Sequence, residues 1–383
     1  MTRVMVVDDS ALVRRIVSDI LSTDPDLEVV ATAAQAEFAL AKLEREKPDV
    51  ITLDLEMPGM GGLEAIRHIM ATRPTPIVVL SSHAQRGAER TLQALDLGAV
   101  DFVLKPSAGL SGGVTDVAAE LTGKVKSAAK AASSAARTAT RTGAAAMEAP
   151  PVAQPASGAE RAPYAAERAQ YAAERAPYAA ERAQYAAEIV AIGTSTGGPV
   201  ALKTVLAMLP ADLPVGVVVV QHMPAVFTRA FADRLDACCA VAVKEAEHGD
   251  LILPGRVLIA PGGWHMKVSR FGGEPRVLLD QNAAVNGHRP SVDVLVRSVA
   301  AEYGGSAVGV IMTGMGRDGA DGLHGLRARG GHVIAQDRDT SVIYGMNREV
   351  IEGGDADEVA PVEQIAGRIV AALRAASRER RAG

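Results

Sequence analysis

Short apolar runs alternate with stretches of helical spacing along most of this chain. RVMVV is followed by SALVRRIVSDIL, where apolar residues recur every three or four positions and Ser10 stands where a helix cap is expected. LEVVATA, DVITLDL, PIVVLSS and VDFVLKP are further apolar runs, each preceded by a helical stretch. Unbroken runs of this kind are strands covered on both faces. The pattern therefore predicts an open α/β sheet with ligands at the carboxyl ends of its strands. The rhythm stops near Thr122 and resumes at Glu188, where EIVAIG, VGVVVVQ and SAVGVIM follow one another between helical stretches.

The 383 residues thus divide into two expected domains, 1–122 and 188–383, and a linker, 123–187. The linker is mostly Ala, Arg, Glu, Ser, Thr, Pro and Tyr. AERAPYA and AERAQYA alternate within it, placing Tyr164, Tyr171, Tyr178 and Tyr185 in one phase of a heptad. No second apolar position larger than Ala accompanies the tyrosines, and Pro163 and Pro177 interrupt any helix. A low-complexity spacer is expected rather than a coiled coil.

Charge follows the same divisions. Residues 1–122 carry 11 basic and 18 acidic groups, net −7; residues 123–187 carry 9 and 5, net +4; residues 188–383 carry 20 and 22, net −2. Neither domain is basic, which argues against a nucleic-acid binder. Cys238 and Cys239 are adjacent, so no disulfide framework is expected. No apolar stretch is long enough to span a membrane, and MTRVMVVDDS is not a signal peptide. A cytoplasmic protein is expected. The tail RAASRERRAG is basic and is expected to fray.

In the first domain the predicted strands end in Asp8 and Asp9, in Asp54, in Ser81-Ser82 and in Lys105-Pro106. Three carboxylates on one rim repel one another unless a cation joins them, and Mg²⁺ is the hard cation suited to carboxylates, waters and phosphate oxygens. The lysine and a hydroxyl would then hold a phosphoryl group placed on one carboxylate.

In the second domain EIVAIG runs into TSTGGPVALKTVLAML, a strand, a glycine-rich turn and a helix. Gly193-Thr194-Ser195-Thr196-Gly197 fits the G-x-S-x-G pattern of a nucleophile elbow, with a phosphate-binding loop as the alternative. VGVVVVQHMP ends in Gln221-His222, and SAVGVIMTGMGRDGADGL leads into a loop with Asp318 and Asp321. Serine, histidine and aspartate would thus meet at one rim, as a proton relay requires. Chain order is Ser, His, Asp, unlike the Ser, acid, His order of α/β-hydrolases. Spacing does not choose among His222, His265, His288, His324 and His332, nor between Asp318 and Asp321. Trp264, Met266 and the two cysteines are read as packing residues.

The first domain resembles the response-regulator receiver domain, through VVDDS, LDLEMPGMGGLEAI, VVLSS and FVLKP. The resemblance implies a flavodoxin-like, doubly wound sheet of order 2-1-3-4-5. It implies Asp54 as phosphoacceptor, Mg²⁺ held by Asp8, Asp9 and Asp54, Ser81 as switch hydroxyl and Lys105 as phosphate contact. Receivers usually carry Asp where this chain has Gly61. The second domain resembles the catalytic domain of the CheB family of protein-glutamate methylesterases, through AIGTSTGGPVAL, VQHMPAVFTRAFADRL, IAPGGWHM, HRPSVDVL, GVIMTGMGRDGADGL and SVIYGMNREVI. That resemblance implies a doubly wound α/β methylesterase domain needing no cofactor. It implies Ser195 as nucleophile, His222 as base and Asp318 as acid, with Thr196 and the Met315 N–H in the oxyanion site. It further implies chemoreceptors as substrates, deesterified at glutamates and deamidated at glutamines. A chemotaxis histidine kinase would be the phosphodonor, the unphosphorylated receiver would lie across the active-site rim and hinder substrate, and the protein would sit peripheral to membrane-bound receptor arrays. The linker is longer than the family's usual one.

Overall fold

The computed structural model describes residues 1–82, 85–105, 114–139, 187–271 and 274–382. The Tyr–Ala repeat and Pro106 lie outside the described residues. Two compact units divide the chain, Met1–Ala146 and Met147–Gly383.

The first unit contains β1 (Thr2–Val7), β2 (Leu27–Ala33), β3 (Val50–Asp54), β4 (Ile77–Ser81) and β5 (Asp101–Leu104). They form one sheet in the order β2-β1-β3-β4-β5, with every neighbouring pair parallel. Helices α1 (Ala11–Ser22), α2 (Ala36–Glu46), α3 (Gly61–Thr72), α4 (Gln85–Asp96) and α5 (Val114–Ala139) connect and follow the strands. Ser10 caps α1, its hydroxyl accepting from the Val13 N–H at 3.4 Å. Valines 4, 6, 50 and 78 pack against Val17, Ile20 and Leu21 of α1 and Leu121, Val125 and Ala128 of α5.

That last contact extends beyond residue 122, where the linker is expected to begin. Helix α5 runs to Ala139, because Val125 and Ala128 keep its apolar stripe on the sheet for two further turns. Its polar side is pinned as well. The Lys124 ammonium donates to the Phe102 carbonyl at 2.8 Å and pairs with the buried Asp101 carboxylate at 3.4 Å. Burial pushes the Asp101 carboxyl up, against the opposing pull of Lys124.

The second unit is built on seven strands in the order β14-β13-β12-β6-β7-β9-β8, again all parallel. They are β6 (Ile189–Thr194), β7 (Gly216–Gln221), β8 (Ala242–Glu245), β9 (Arg256–Ile259), β12 (Ala307–Ile311), β13 (His332–Gln336) and β14 (Glu358–Ala360). An antiparallel pair, β10 (His265–Phe271) and β11 (Glu274–Asp280), stands outside the sheet. It packs with α8 (Val292–Tyr303), α9 (Ala320–Ala328) and α10 (Met346–Glu352) in one apolar cluster. Helices α6 (Gly198–Ala207), α7 (Ala225–Asp236) and α11 (Val362–Ala382) complete the unit, with α6 against α7 and α11. The tail expected to fray continues as the end of α11. Ile365, Ala366, Ile369 and Leu373 bury its stripe, and the residues beyond are mostly good helix formers.

Removing Lys124 leaves Asp101 as an unpaired buried charge. Lys124→Ala is expected to destabilise the receiver-like unit by about 3 kcal/mol. Lys126→Ala, which breaks only the surface pairing with Asp24 and Asp26, should shift the urea midpoint clearly less. Equal shifts would contradict the pinning role of Lys124.

Candidate functional site

At the carboxyl end of the first sheet, Lys105 joins two buried carboxylates. Its Nζ lies 2.7 Å from Asp54 Oδ2 and 2.9 Å from Asp8 Oδ2. Burial works against the Lys105 charge, but hydrogen bonds to Asp54 and Asp8 outweigh it and push the ammonium pKa up. Burial raises the Asp8 carboxyl, against the pull of Lys105. Asp9 is exposed beside them, and one oxygen each from Asp8, Asp9 and Asp54 lie within 4.8 Å of one another. Such a set of hard oxygens suits a divalent cation. The Ser81 hydroxyl is buried and shares a 2.7 Å hydrogen bond with Thr91 Oγ1 of α4.

In the second unit, β6 ends at Thr194 and α6 starts at Gly198, so Ser195 sits in the tight connection between them. Gly197 adopts φ +75°, and a Cβ there would come within 2.5 Å of Val342. The connection is fixed from the neighbouring strand ends. Ser195 N–H donates to the Thr313 carbonyl at 3.0 Å, and Thr313 Oγ1 donates to the Thr196 carbonyl at 2.9 Å. The Gln221 amide donates to the carbonyls of both Ser195 and His222, at 2.9 and 3.0 Å. Thr194 pairs with Gln221 in the register of β6 and β7. The nucleophile and base candidates are therefore the next residues along two adjacent strands.

His222 Nε2 makes a 2.9 Å hydrogen bond with Asp318 Oδ2, while Nδ1 is buried without a partner. No hydrogen bond joins Ser195 Oγ to the ring among the described residues, a looseness common before substrate tightens a relay. Asp318 is itself held by Ser291 Oγ at 2.7 Å, the Val292 N–H at 2.7 Å and Asn286 Nδ2 at 2.9 Å. Ser291 caps α8, so the carboxylate lies at a helix N-terminus. Burial opposes its charge, yet hydrogen bonds from His222, Asn286 and Ser291 hold its pKa well below the ordinary carboxylate range.

The remaining candidates separate clearly. Asp321 is exposed and pairs with Arg317 at 2.8 Å. His324 bonds Asp355, His332 bonds Glu358, and His265 bonds the Ala283 carbonyl. Thr196 is buried and Met315 half-exposed, and neither backbone N–H donates to a protein group among the described residues. Met266 is core, whereas Trp264 is 39% exposed. Cys239 lies beyond the end of α7, its thiol pushed up to about 12 by burial and by Cys238, so it is a poor nucleophile.

Sequence reasoning placed Gln221 at a strand end without giving it a role, and missed Thr313, Gln336, Asn286 and Asp293. Gln221, Thr313 and Gln336 are polar residues at or just beyond the ends of apolar strands, a position that marks them. Gln336 Oε1 accepts from the Thr313 N–H at 2.8 Å. Asn286 and Asp293 carry no such mark.

An acidic, lysine-bridged pocket and a rim with serine beside a histidine–aspartate pair occur here in one chain. Together they define a response regulator with an enzymatic output domain. The response-regulator receiver profile matches residues 4–110 and the CheB methylesterase profile residues 190–369. The chain is 47% identical over 376 residues to the protein-glutamate methylesterase/protein-glutamine glutaminase of Symbiobacterium thermophilum, covering 97% of both chains. It is 43% identical to the protein-glutamate methylesterase/protein-glutamine glutaminase 2 of Koribacter versatilis, over 95% of this chain and 94% of that one. The solved CheB methylesterase catalytic domain of Thermotoga maritima is 42% identical, covering 48% of this chain and 97% of that one, with a TM-score of 0.47. The chain belongs to the CheB methylesterase family.

Gly314 packs against the elbow, where an added Cβ would lie 2.9 Å from Ser195 Cβ and 2.3 Å from Met346 Sδ. Gly314→Ala is expected to lower kcat about 100-fold by displacing the serine. The check is ester turnover alongside circular dichroism; full turnover in a folded variant would refute the packing argument.

Proposed function

We propose that this chain is a phosphorylation-activated serine hydrolase acting on chemoreceptor side chains. Ser195 Oγ attacks the carbonyl carbon of a glutamate methyl ester while His222 takes its proton. Because Nε2 is engaged by Asp318, the unpartnered Nδ1 is the nitrogen that serves. Asp318 stabilises the imidazolium that results. The oxyanion receives the N–H groups of Thr196 and Met315. The proton passes to the leaving oxygen, methanol departs, and water then releases the glutamate by the same path in reverse. A glutamine side chain follows the same course with ammonia leaving. The bonded pair His222–Asp318 beside the elbow serine carries this reading.

In the receiver, Asp54 accepts the phosphoryl group from a chemotaxis histidine kinase. Asp8, Asp9 and Asp54 would hold Mg²⁺, which neutralises phosphoryl oxygens when bound. Lys105 contacts the phosphoryl group and Ser81 is the switch hydroxyl, exchanging its bond to Thr91 for a phosphoryl oxygen. No helix among the described residues is long and apolar enough to cross a membrane. We place the enzyme in the cytoplasm, at the periphery of membrane-bound receptor arrays.

The test is methanol release from methylated receptor membranes, with and without a small phosphodonor and Mg²⁺. Ser195→Ala should abolish release, and Asp54→Ala should abolish only its stimulation by the donor. Turnover by Ser195→Ala would remove the serine assignment. Equal stimulation of Asp54→Ala would remove the phosphoacceptor assignment.

A further inference from the structure

The hydrogen bond at Nε2 and the Cβ–Cγ bond restrain the His222 ring along one axis, and its tilt about that axis is left to packing. The proton-accepting atom Nδ1 is off that axis and has no partner of its own. Something else must set the ring plane if Nδ1 is to face the serine. The imidazole of His288 lies flat against it, with centroids 3.8 Å apart and planes 12° from parallel. We propose that His288 is a positioning residue that fixes the ring plane of His222 by stacking; the proposal rests on His222 being the base.

His288 is held in a way that suits this task. Val285 and His288 exchange both backbone hydrogen bonds, at 3.1 and 2.9 Å, around Asn286 and Gly287. Both central residues are left-handed, at φ 54° and 80°, the combination Asn-Gly adopts most readily. The turn is then tied down on both sides. The Asn286 side-chain amide donates to Asp318 Oδ1 at 2.9 Å and to Asp293 Oδ2 at 2.8 Å. Asp293 is buried and accepts the Gly322 N–H of α9 at 2.7 Å. Before the turn, His265 Nε2 bonds the Ala283 carbonyl at 3.0 Å; after it, the Gly263 N–H donates to the Arg289 carbonyl at 3.1 Å. One turn thus grips the acid of the relay with Asn286 and covers the base with His288. Flatness of the covering side chain matters here, rather than its ability to ionise.

The experiment compares His288→Phe, His288→Leu and His288→Ala in the full chain, with Ser195→Ala as reference. Phenylalanine keeps a flat face, leucine keeps comparable bulk without one, and alanine keeps neither. His288→Phe should retain kcat within about threefold, while His288→Leu and His288→Ala lose about tenfold to a hundredfold in kcat, the scale of a misplaced catalytic group. KM should stay within about twofold in all three. Leucine stands in if the alanine variant fails to fold by circular dichroism. A phenylalanine variant as impaired as alanine would overturn the proposal, since the imidazole chemistry would then be needed. So would unchanged kcat in His288→Leu, or a change confined to KM, which would make His288 a substrate contact. If Ser195→Ala itself retains turnover, the reading of the whole site fails, and that result is distinct from any outcome at His288.

Discussion

One buried carboxylate organises the second domain. Removing Asp318 from water costs several kcal/mol unless its oxygens are fully engaged. Here they are met by His222, Asn286, Ser291 and the N–H of Val292. The four donors come from three parts of the fold: the residue after β7, the turn before α8, and the start of α8 with its cap and first residue. The charge that holds the His222 ring therefore also decides where α8 begins and how the segment after β11 lies. Loss of that charge would release three pieces of structure together.

The receiver faces the same electrostatic problem and solves it with a mobile cation in place of fixed dipoles. Asp8 and Asp54 are both buried, and the Lys105 ammonium serves the two together. A long flexible side chain can follow a change of charge at either partner, whereas the donors around Asp318 cannot. The first arrangement suits a site whose charge is altered by modification. The second suits a site whose charge must stay constant through a reaction cycle. The Ser81–Thr91 hydrogen bond extends the first pocket to α4, so a change at the pocket has a neighbouring element to act on.

Much of this was legible in the sequence. Apolar runs located the parallel strands, and the polar residues that follow them located both rims, because a strand covered on both faces can expose polar chemistry only at its ends. The 2-1-3-4-5 order followed from resemblance, not from spacing. The choice of Asp318 over Asp321 needed either resemblance or coordinates, since three residues of separation on one loop leave periodicity nothing to decide. The continuation of α5 beyond residue 122 was not legible, because Ala-rich sequence reads alike in a helix and in a spacer. Only the packing of Val125 and Ala128 separates the two. Asn286 was not legible as a site residue, and His288 was legible only as one of five candidate histidines. Asn286-Gly287 marks a turn, but the tertiary anchors at Ala283 and Arg289 that place it beside His222 and Asp318 leave no local pattern.

Ser195 and His222 are aligned by the pairing of Thr194 with Gln221 on adjacent parallel strands. A slip of one residue between β6 and β7 would turn alternate side chains to the opposite face and part the two groups. Partly formed states that contain the elbow but not this central pairing would then be chemically silent. On the proposed roles of Ser195 and His222, catalysis in this domain would double as a reporter of correct folding, because activity would require the register of the middle strands.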